Sequence, residues 1–308
     1  MKDLHPFSLE SIVKIKDDEI KCRELLEQVR WNGEPCCPKC GGLKPYKITS
    51  KPTSKYKVRD GLYKCRECRK PFTVTVGTVF EDGHIKLGTW FMAFALLSSS
   101  KKGMSAHQLH RMLGITYKTS WYMCHRIRFA MQKEEFAKFT GVVEIDEVYI
   151  GGKKKGWRSR QPAPKMPVIS LVERGGDVRS FPVENATAKA VRALIHEHTQ
   201  KDVKIITDGS SIYDHLDKQG YKDHEIINHA AYEYVRGHVY TNTVEGYFSL
   251  LKRGIVGVYH HVSYAHLMRY LSEFDFRYSN RKIEDSFRTL LALKGFEGKR
   301  LTYKRTSR

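Results

Sequence analysis

Val142-Val143-Glu144-Ile145-Asp146-Glu147-Val148-Tyr149-Ile150 alternates with the period of an extended strand. Val142, Glu144, Asp146, Val148 and Ile150 fall on one face, and Val143, Ile145, Glu147 and Tyr149 on the other. Asp146 therefore sits inside an apolar run. An ionised carboxylate in a half-buried strand is costly unless it is paired or bound to a cation. Taken alone, the stretch fits a metal ligand, or an edge strand whose acids meet the lysines of the following segment.

Two further carboxylates lie downstream in comparable settings. Val203 to Thr207 read as a second strand ending at Asp208-Gly209, a pair that suits a turn or an N-cap. The carboxyl end of a strand is also where α/β sheets place ligand groups. The third setting is Asn242-Thr243-Val244-Glu245-Gly246-Tyr247-Phe248-Ser249-Leu250-Leu251-Lys252-Arg253, an amphipathic helix with Val244, Phe248 and Leu251 inward. Glu245 three residues after Asn242 is close to a capping box, which would need no chemistry. Lys252, two turns beyond Glu245 on the same face, is instead placed to hold a phosphate beside a carboxylate-bound metal.

Upstream, Cys37-Pro38-Lys39-Cys40 and Cys65-Arg66-Glu67-Cys68 flank Tyr46-Lys47-Ile48 and Tyr56-Lys57-Val58, which read as short strands. Two Cys-x-x-Cys turns at this spacing are a zinc-ribbon layout, each turn offering two thiolates to one zinc ion. Cys36 adjoins Cys37, and the choice of Cys37 preserves the two-residue spacing. From Thr89 the spacing becomes helical, with Trp90, Phe91, Phe94 and Leu97 on one side. A second helix carries Ala106, Leu109 and Leu113, Gly114 ends it, and Thr116 or Thr119 starts a third. This pattern predicts a helix-turn-helix, with Tyr117, Lys118, Thr119 and Ser120 at a groove and Arg126 and Arg128 on phosphates. A plain helical hairpin would give the same pattern.

The 308 residues carry a formal charge of +20, and 41% are hydrophobic, enough for two or three cores. Residues 36 to 140 hold 20 basic and 6 acidic side chains, a local excess that favours a polyanion through counterion release. Lys153, Lys154, Lys155, Arg158 and Arg160 add a basic loop, Arg253 extends the Lys252 helix, and Lys299 to Arg308 read as a basic tail. No run approaches the roughly 20 apolar residues of a membrane span, no secretory signal opens the chain, and close cysteine pairs suit a reducing compartment. The expected location is cytoplasmic, without a membrane partner. His224, His229 and His238 read as turn residues.

These elements together resemble the DDE transposases of bacterial insertion sequences with an amino-terminal zinc ribbon. The carriers are the four cysteines, Glu144-Ile145-Asp146-Glu147 with Tyr149 and Gly151-Gly152, Thr207-Asp208-Gly209, and Thr241 to Val262. The resemblance implies an α/β fold: an RNase H-like catalytic domain over 140–290, preceded by a helical segment (1–35), a zinc ribbon (36–80) and a helix-turn-helix segment (85–138), and followed by a tail (291–308). It implies Asp146, Asp208 and Glu245 as ligands of magnesium or manganese, with Lys252 completing the site. Asn242 competes with Glu245 as third residue; Glu245 is preferred because a carboxylate neutralises a divalent cation better. Two ions roughly 3.5 to 4 Å apart would serve cleavage of element ends and their joining to target DNA, without a covalent protein intermediate. Handling two ends implies at least a dimer on double-stranded DNA, although no heptad repeat specifies one. An inert DNA-binding regulator and a structure-selective nuclease are the competing readings.

Overall fold

The computed structural model describes residues 5–50, 53, 55, 57–133, 136–151 and 165–302. The chain divides into two compact units, one of Met1–Ser100, Ala106–Met131 and Ile283–Arg308, the other of Lys101–Ser105 and Gln132–Lys282.

In the first unit, helix α1 (Leu9–Ile15) starts at Ser8 and α2 (Glu19–Trp31) at Asp18; each cap side chain accepts a first-turn N–H. A small antiparallel sheet follows, β1 (Tyr46–Lys47), β2 (Tyr63–Lys64) and β3 (Pro71–Phe72). The expected strand at 56–58 is not formed: Lys57 and Val58 lie outside any strand, and Tyr56 is outside the described residues. The sheet is too small to bury its own face. Trp31 of α2 therefore meets Tyr63 and Phe72 edge-on, at 5.3 and 6.1 Å between ring centroids. Arg30, its side chain buried, donates to the carbonyls of Val74 and Val76. Residues 1–35, expected as a separate segment, thus share a core with the cysteine module.

Helix α3 (Leu87–Ser99) is apolar around most of its circumference and buries Trp90, Phe91, Phe94 and Leu97. Helices α4 (Ala106–Leu113) and α5 (Tyr117–Met131) follow. Gly114 turns the chain between them at φ +63°, a conformation that favours glycine. The Thr116 hydroxyl accepts the Thr119 N–H at 3.2 Å and caps α5.

The second unit is built on a five-stranded sheet of β4 (Val142–Gly151), β5 (Lys165–Glu173), β6 (Val178–Pro182), β7 (Lys204–Asp208) and β8 (His224–Ile227), in the order β6-β5-β4-β7-β8. β5 runs antiparallel to β4 and β6, whereas β7 and β8 run parallel to β4. The alternation of β4 sets the two layers. Val143 and Ile145 pack with Val191 and Ile195 of α6 (Ala188–His198). On the other face, Val148 and Ile150 pack with Val244, Phe248 and Leu251 of α7 (Asn242–Gly254) and Leu267 and Phe274 of α8 (Tyr264–Ser279). A single π-helical turn, Ile255–Tyr259, continues α7.

From Ile283 the chain returns to the first unit as α9 (Asp285–Lys294). The boundary expected at residue 290 therefore falls inside a helix, and the expected tail, 291–308, begins within it. Leu293 and Phe296 are buried, Phe296 lies 5.5 Å from Phe80, and Glu297 bridges to Thr78. The basic residues of the segment hide these apolar anchors in a reading based on charge.

Candidate active site

The four cysteines form one cluster. Their sulfurs all lie within 4.8 Å, with Cys37 to Cys68 at 3.7 Å and Cys40 to Cys65 at 3.6 Å. A tetrahedral site with Zn–S bonds of about 2.3 Å separates its sulfurs by about 3.8 Å, so this donor set fits zinc. Backbone N–H groups of Cys68 and Glu67 aim at Cys65 and lower its thiol, toward the thiolate a metal binds, while the neighbouring sulfurs push Cys40 the other way. Each Cys-x-x-Cys turn is closed by its backbone: Gly41 N–H donates to Cys37 carbonyl, and Cys65 N–H to Lys70 carbonyl. A Cβ at Gly42 would stand 2.8 Å from Cδ of the exposed Glu67, which can swing aside, and 3.0 Å from Cys65 Sγ, so a side chain there would press on a cluster sulfur. The cluster holds Cys37 and not Cys36, as the two-residue spacing predicts, and Cys36 bridges through its backbone to Leu43.

The carboxylates gather on the second unit. Asp146 is mid-strand on β4, Asp208 ends β7, and Glu245 lies in the first turn of α7. The register pairs Ile145 with Thr207, so Asp146 and Asp208 follow on neighbouring parallel strands and share a face. Burial pushes the Asp146 carboxyl up to about 7. The Glu147 N–H, 2.7 Å from Asp146 Oδ1, opposes that shift, while the charges of Glu147, Asp208 and Glu245 add to it. Three acids thus repel Asp146 within one field. A divalent cation relieves that repulsion, and the oxygen donor set suits magnesium or manganese.

Around this centre the structure adds residues that sequence reasoning did not select. Glu147, on the opposite face, accepts the Tyr213 hydroxyl at 2.7 Å, and burial raises its carboxyl. His229 follows β8 and points Nε2 at Glu245 Oε1, 3.6 Å away. The capping box that would have been the alternative role of Glu245 is not formed. Thr241 is the N-cap of α7 and its hydroxyl donates to Glu245 Oε1, whereas the N–H groups of Thr243 and Val244 are taken by Glu144 of β4. Glu144 was visible as an inward residue of the strand; its partners, about a hundred residues away, carried no signal.

The remaining expected residues separate clearly. Asn242 is exposed at the start of α7, Lys252 is exposed two turns beyond Glu245, and Arg253 folds back onto Ser249. Tyr117 and Lys118 are exposed at the start of α5, with Tyr117 stacked on His107 at 4.1 Å; Thr119 is half-buried and Ser120 is buried. The Ser120 hydroxyl donates to Ala106 carbonyl, so it fixes the α4 to α5 angle rather than facing a groove. Arg126 and Arg128, expected on phosphates, are buried. Arg126 donates to the carbonyls of Val79, Glu81 and Leu301, satisfying backbone that the helix layer covers. Lys153, Lys154, Lys155, Arg158 and Arg160 lie outside the described residues. Among the described residues no helix is long and apolar enough to cross a membrane.

Residues 138–279 match the ISXO2-like transposase domain, and residues 17–71 match the transposase zinc-ribbon domain. A protein of the transposable element ISH50 of Halobacterium salinarum is 30% identical over 281 residues, which cover 86% of this chain and 92% of that protein. The chain belongs to this transposase family. The ISH50 protein is archaeal, so the likeness is not confined to bacterial elements. In this transposase the matched zinc ribbon begins at residue 17, inside the helical segment that supplies Trp31 to the ribbon core. The matched transposase domain, residues 138–279, falls within the second unit.

Proposed function

We propose that this DNA transposase binds the ends of its element and carries out metal-dependent strand cleavage and strand transfer at Asp146, Asp208 and Glu245. The observation that carries the reading is the placement of Asp146 and Asp208 on one face of neighbouring parallel strands, with Glu245 in the first turn of the helix packed over that face; burial and the charges of Glu147, Asp208 and Glu245 raise the Asp146 carboxyl accordingly. The strand order β6-β5-β4-β7-β8, with β5 reversed, supports an RNase H-like assignment. The three acids would hold magnesium or manganese, which when bound activates the attacking oxygen and stabilises the leaving one. Asn242 and Lys252 are both exposed on the helix that carries Glu245, where the first would support the acids and the second would meet a phosphate. The exposed start of α5, with Tyr117 and Lys118, supports end recognition by a helix-turn-helix; a basic 153–160 segment would add contacts to the duplex. Two copies on two ends are required by the chemistry of joining.

The test is magnesium-dependent cleavage and joining of duplexes carrying the element's own terminal repeats, with Asp146→Asn and Glu245→Gln beside the intact chain. Joined products lost in both variants are expected. Specific binding without cutting or joining in magnesium and manganese would establish a regulator, and cutting without joining a nuclease.

A further inference from the structure

Glu144 is fully buried on the catalytic strand, and every oxygen of its carboxylate is occupied. Oε1 accepts from Arg174 Nε at 2.6 Å and from the Thr243 hydroxyl at 2.8 Å. Oε2 accepts from the backbone N–H groups of Thr243 at 2.7 Å and Val244 at 3.0 Å. A strand residue thus caps the helix in place of the helix's own N-cap side chain, and its negative charge meets the positive end of the α7 dipole. Arg174, from the turn between β5 and β6, extends the clamp. Its Nη1 donates to His238 carbonyl at 2.7 Å and its Nη2 to Tyr240 carbonyl at 2.8 Å, while the guanidinium lies 3.6 Å over the Tyr240 ring. Arg174 N–H also donates to Val142 carbonyl at 2.9 Å, tying the turn to β4 itself.

The covalent paths on both sides of this clamp are short. Asp146 is two residues from Glu144 along one face of β4, and Glu245 directly follows Val244. We infer that Glu144 and Arg174 are positioning residues, which set the distance between Asp146 and Glu245 by locking the start of α7 onto the catalytic strand. The inference rests on the proposed roles of those two acids. A buried carboxylate with four donors is a stronger device here than a neutral cap, because each bond is charge-assisted and the planar fork of Arg174 satisfies three acceptors at fixed angles. Lysine in that position keeps the charge and loses the fork.

The test uses the full-length chain with zinc bound and reads four quantities: manganese affinity by paramagnetic resonance, affinity for an end duplex, cleavage rate at saturating duplex, and melting temperature. Residues that orient ligands typically cost about 10 to 100-fold in metal affinity or activity when changed. Glu144→Gln turns an amide donor toward groups that are all donors, and is expected to weaken manganese binding about tenfold and slow saturated cleavage about 100-fold, with end-duplex affinity unchanged. Arg174→Lys should follow in the same direction. Tyr247→Phe is the structural control: it loosens α7 at its middle by removing the Tyr247 bond to Asp275, at 2.6 Å, and leaves the helix start intact. It should lower the melting temperature without moving manganese affinity. Should Glu144→Gln not fold, Thr243→Val removes one of the four donors and is expected to weaken manganese binding and slow cleavage by several fold. Manganese affinity unchanged in the folded Glu144 and Thr243 variants, or reduced equally by Tyr247→Phe, would overturn the inference. A wild-type chain that binds manganese yet neither cuts nor joins would overturn the proposed transposition chemistry, and the ratio of manganese affinities would still decide the positioning role.

Discussion

The Thr241 hydroxyl donates to Glu245 Oε1 at 2.9 Å, so the N-cap of α7 restrains an acid one turn into its own helix. Glu245 itself is exposed, as is Asn242 at the helix start. Glu245→Gln is expected to lower saturated cleavage about 10³-fold, the scale of removing an electrostatic group from a phosphoryl-transfer site. Asn242→Ala should cost about tenfold, as a group acting beside the ligands. Single-turnover cleavage of end duplexes ranks the two; a larger loss at Asn242 would reverse the assignment of the third residue.

Zinc removal should act on the first unit. The sulfur spacing of Cys37, Cys40, Cys65 and Cys68 fits one ion, and among the described residues the ribbon's own sheet has three two-residue strands, which lean on Trp31 of α2. Structural zinc contributes on the order of 10 kcal/mol to small ribbons. Chelation and Cys37→Ser are both expected to abolish a thermal transition and end binding, whereas Cys36→Ser retains one zinc per chain. Elemental analysis beside calorimetry checks this directly.

Arg126 and Lys118 should behave oppositely. Arg126 satisfies carbonyls of Val79, Glu81 and Leu301 from a buried position, so Arg126→Ala leaves acceptors without donors and is expected to cost about 2 to 4 kcal/mol of stability. Lys118 is exposed at the start of α5, and Lys118→Ala should leave the melt unchanged. Its expected effect is on duplex affinity, with the salt dependence of binding reduced by about one unit of slope. Urea melts and binding isotherms at several salt concentrations separate the two roles.

The Asp275 carboxyl gives the fold a pH dependence. Burial pushes it up to about 7, against hydrogen bonds from the Tyr247 hydroxyl and from the hydroxyl and N–H of Ser180. In the unfolded chain it ionises near 3.8. Between those values the unfolded state releases a proton that the folded state keeps, so this group's contribution is full below 3.8 and is lost as pH rises to about 7. The decline approaches about 1.4 kcal/mol per pH unit. Asp275→Asn keeps the side-chain shape without the proton, and urea melts from pH 4.5 to 8 should show its stability curve flatter than that of the wild type.

How far the sequence reaches differs from one element to the next. The alternation of 142–150 determines that Glu144 and Asp146 share a face, because side-chain direction in a strand follows from backbone geometry alone. Likewise, the period of α7 places Glu245 in its first turn, and the paired Cys-x-x-Cys turns identify the metal module. Periodicity specifies which side of an element is covered but not what covers it. The burial of Arg126 and the return of Phe296 to Phe80 each depend on segments distant in the chain. The same holds at the site. Glu144 meets Thr243 and Val244 across 99 and 100 residues, and Arg174 meets Tyr240 across 66. Only the packed sheet, with α7 laid over β4, brings these groups within bonding distance, because a carboxylate is indifferent to its sequence neighbours once burial leaves it nothing but donors to face.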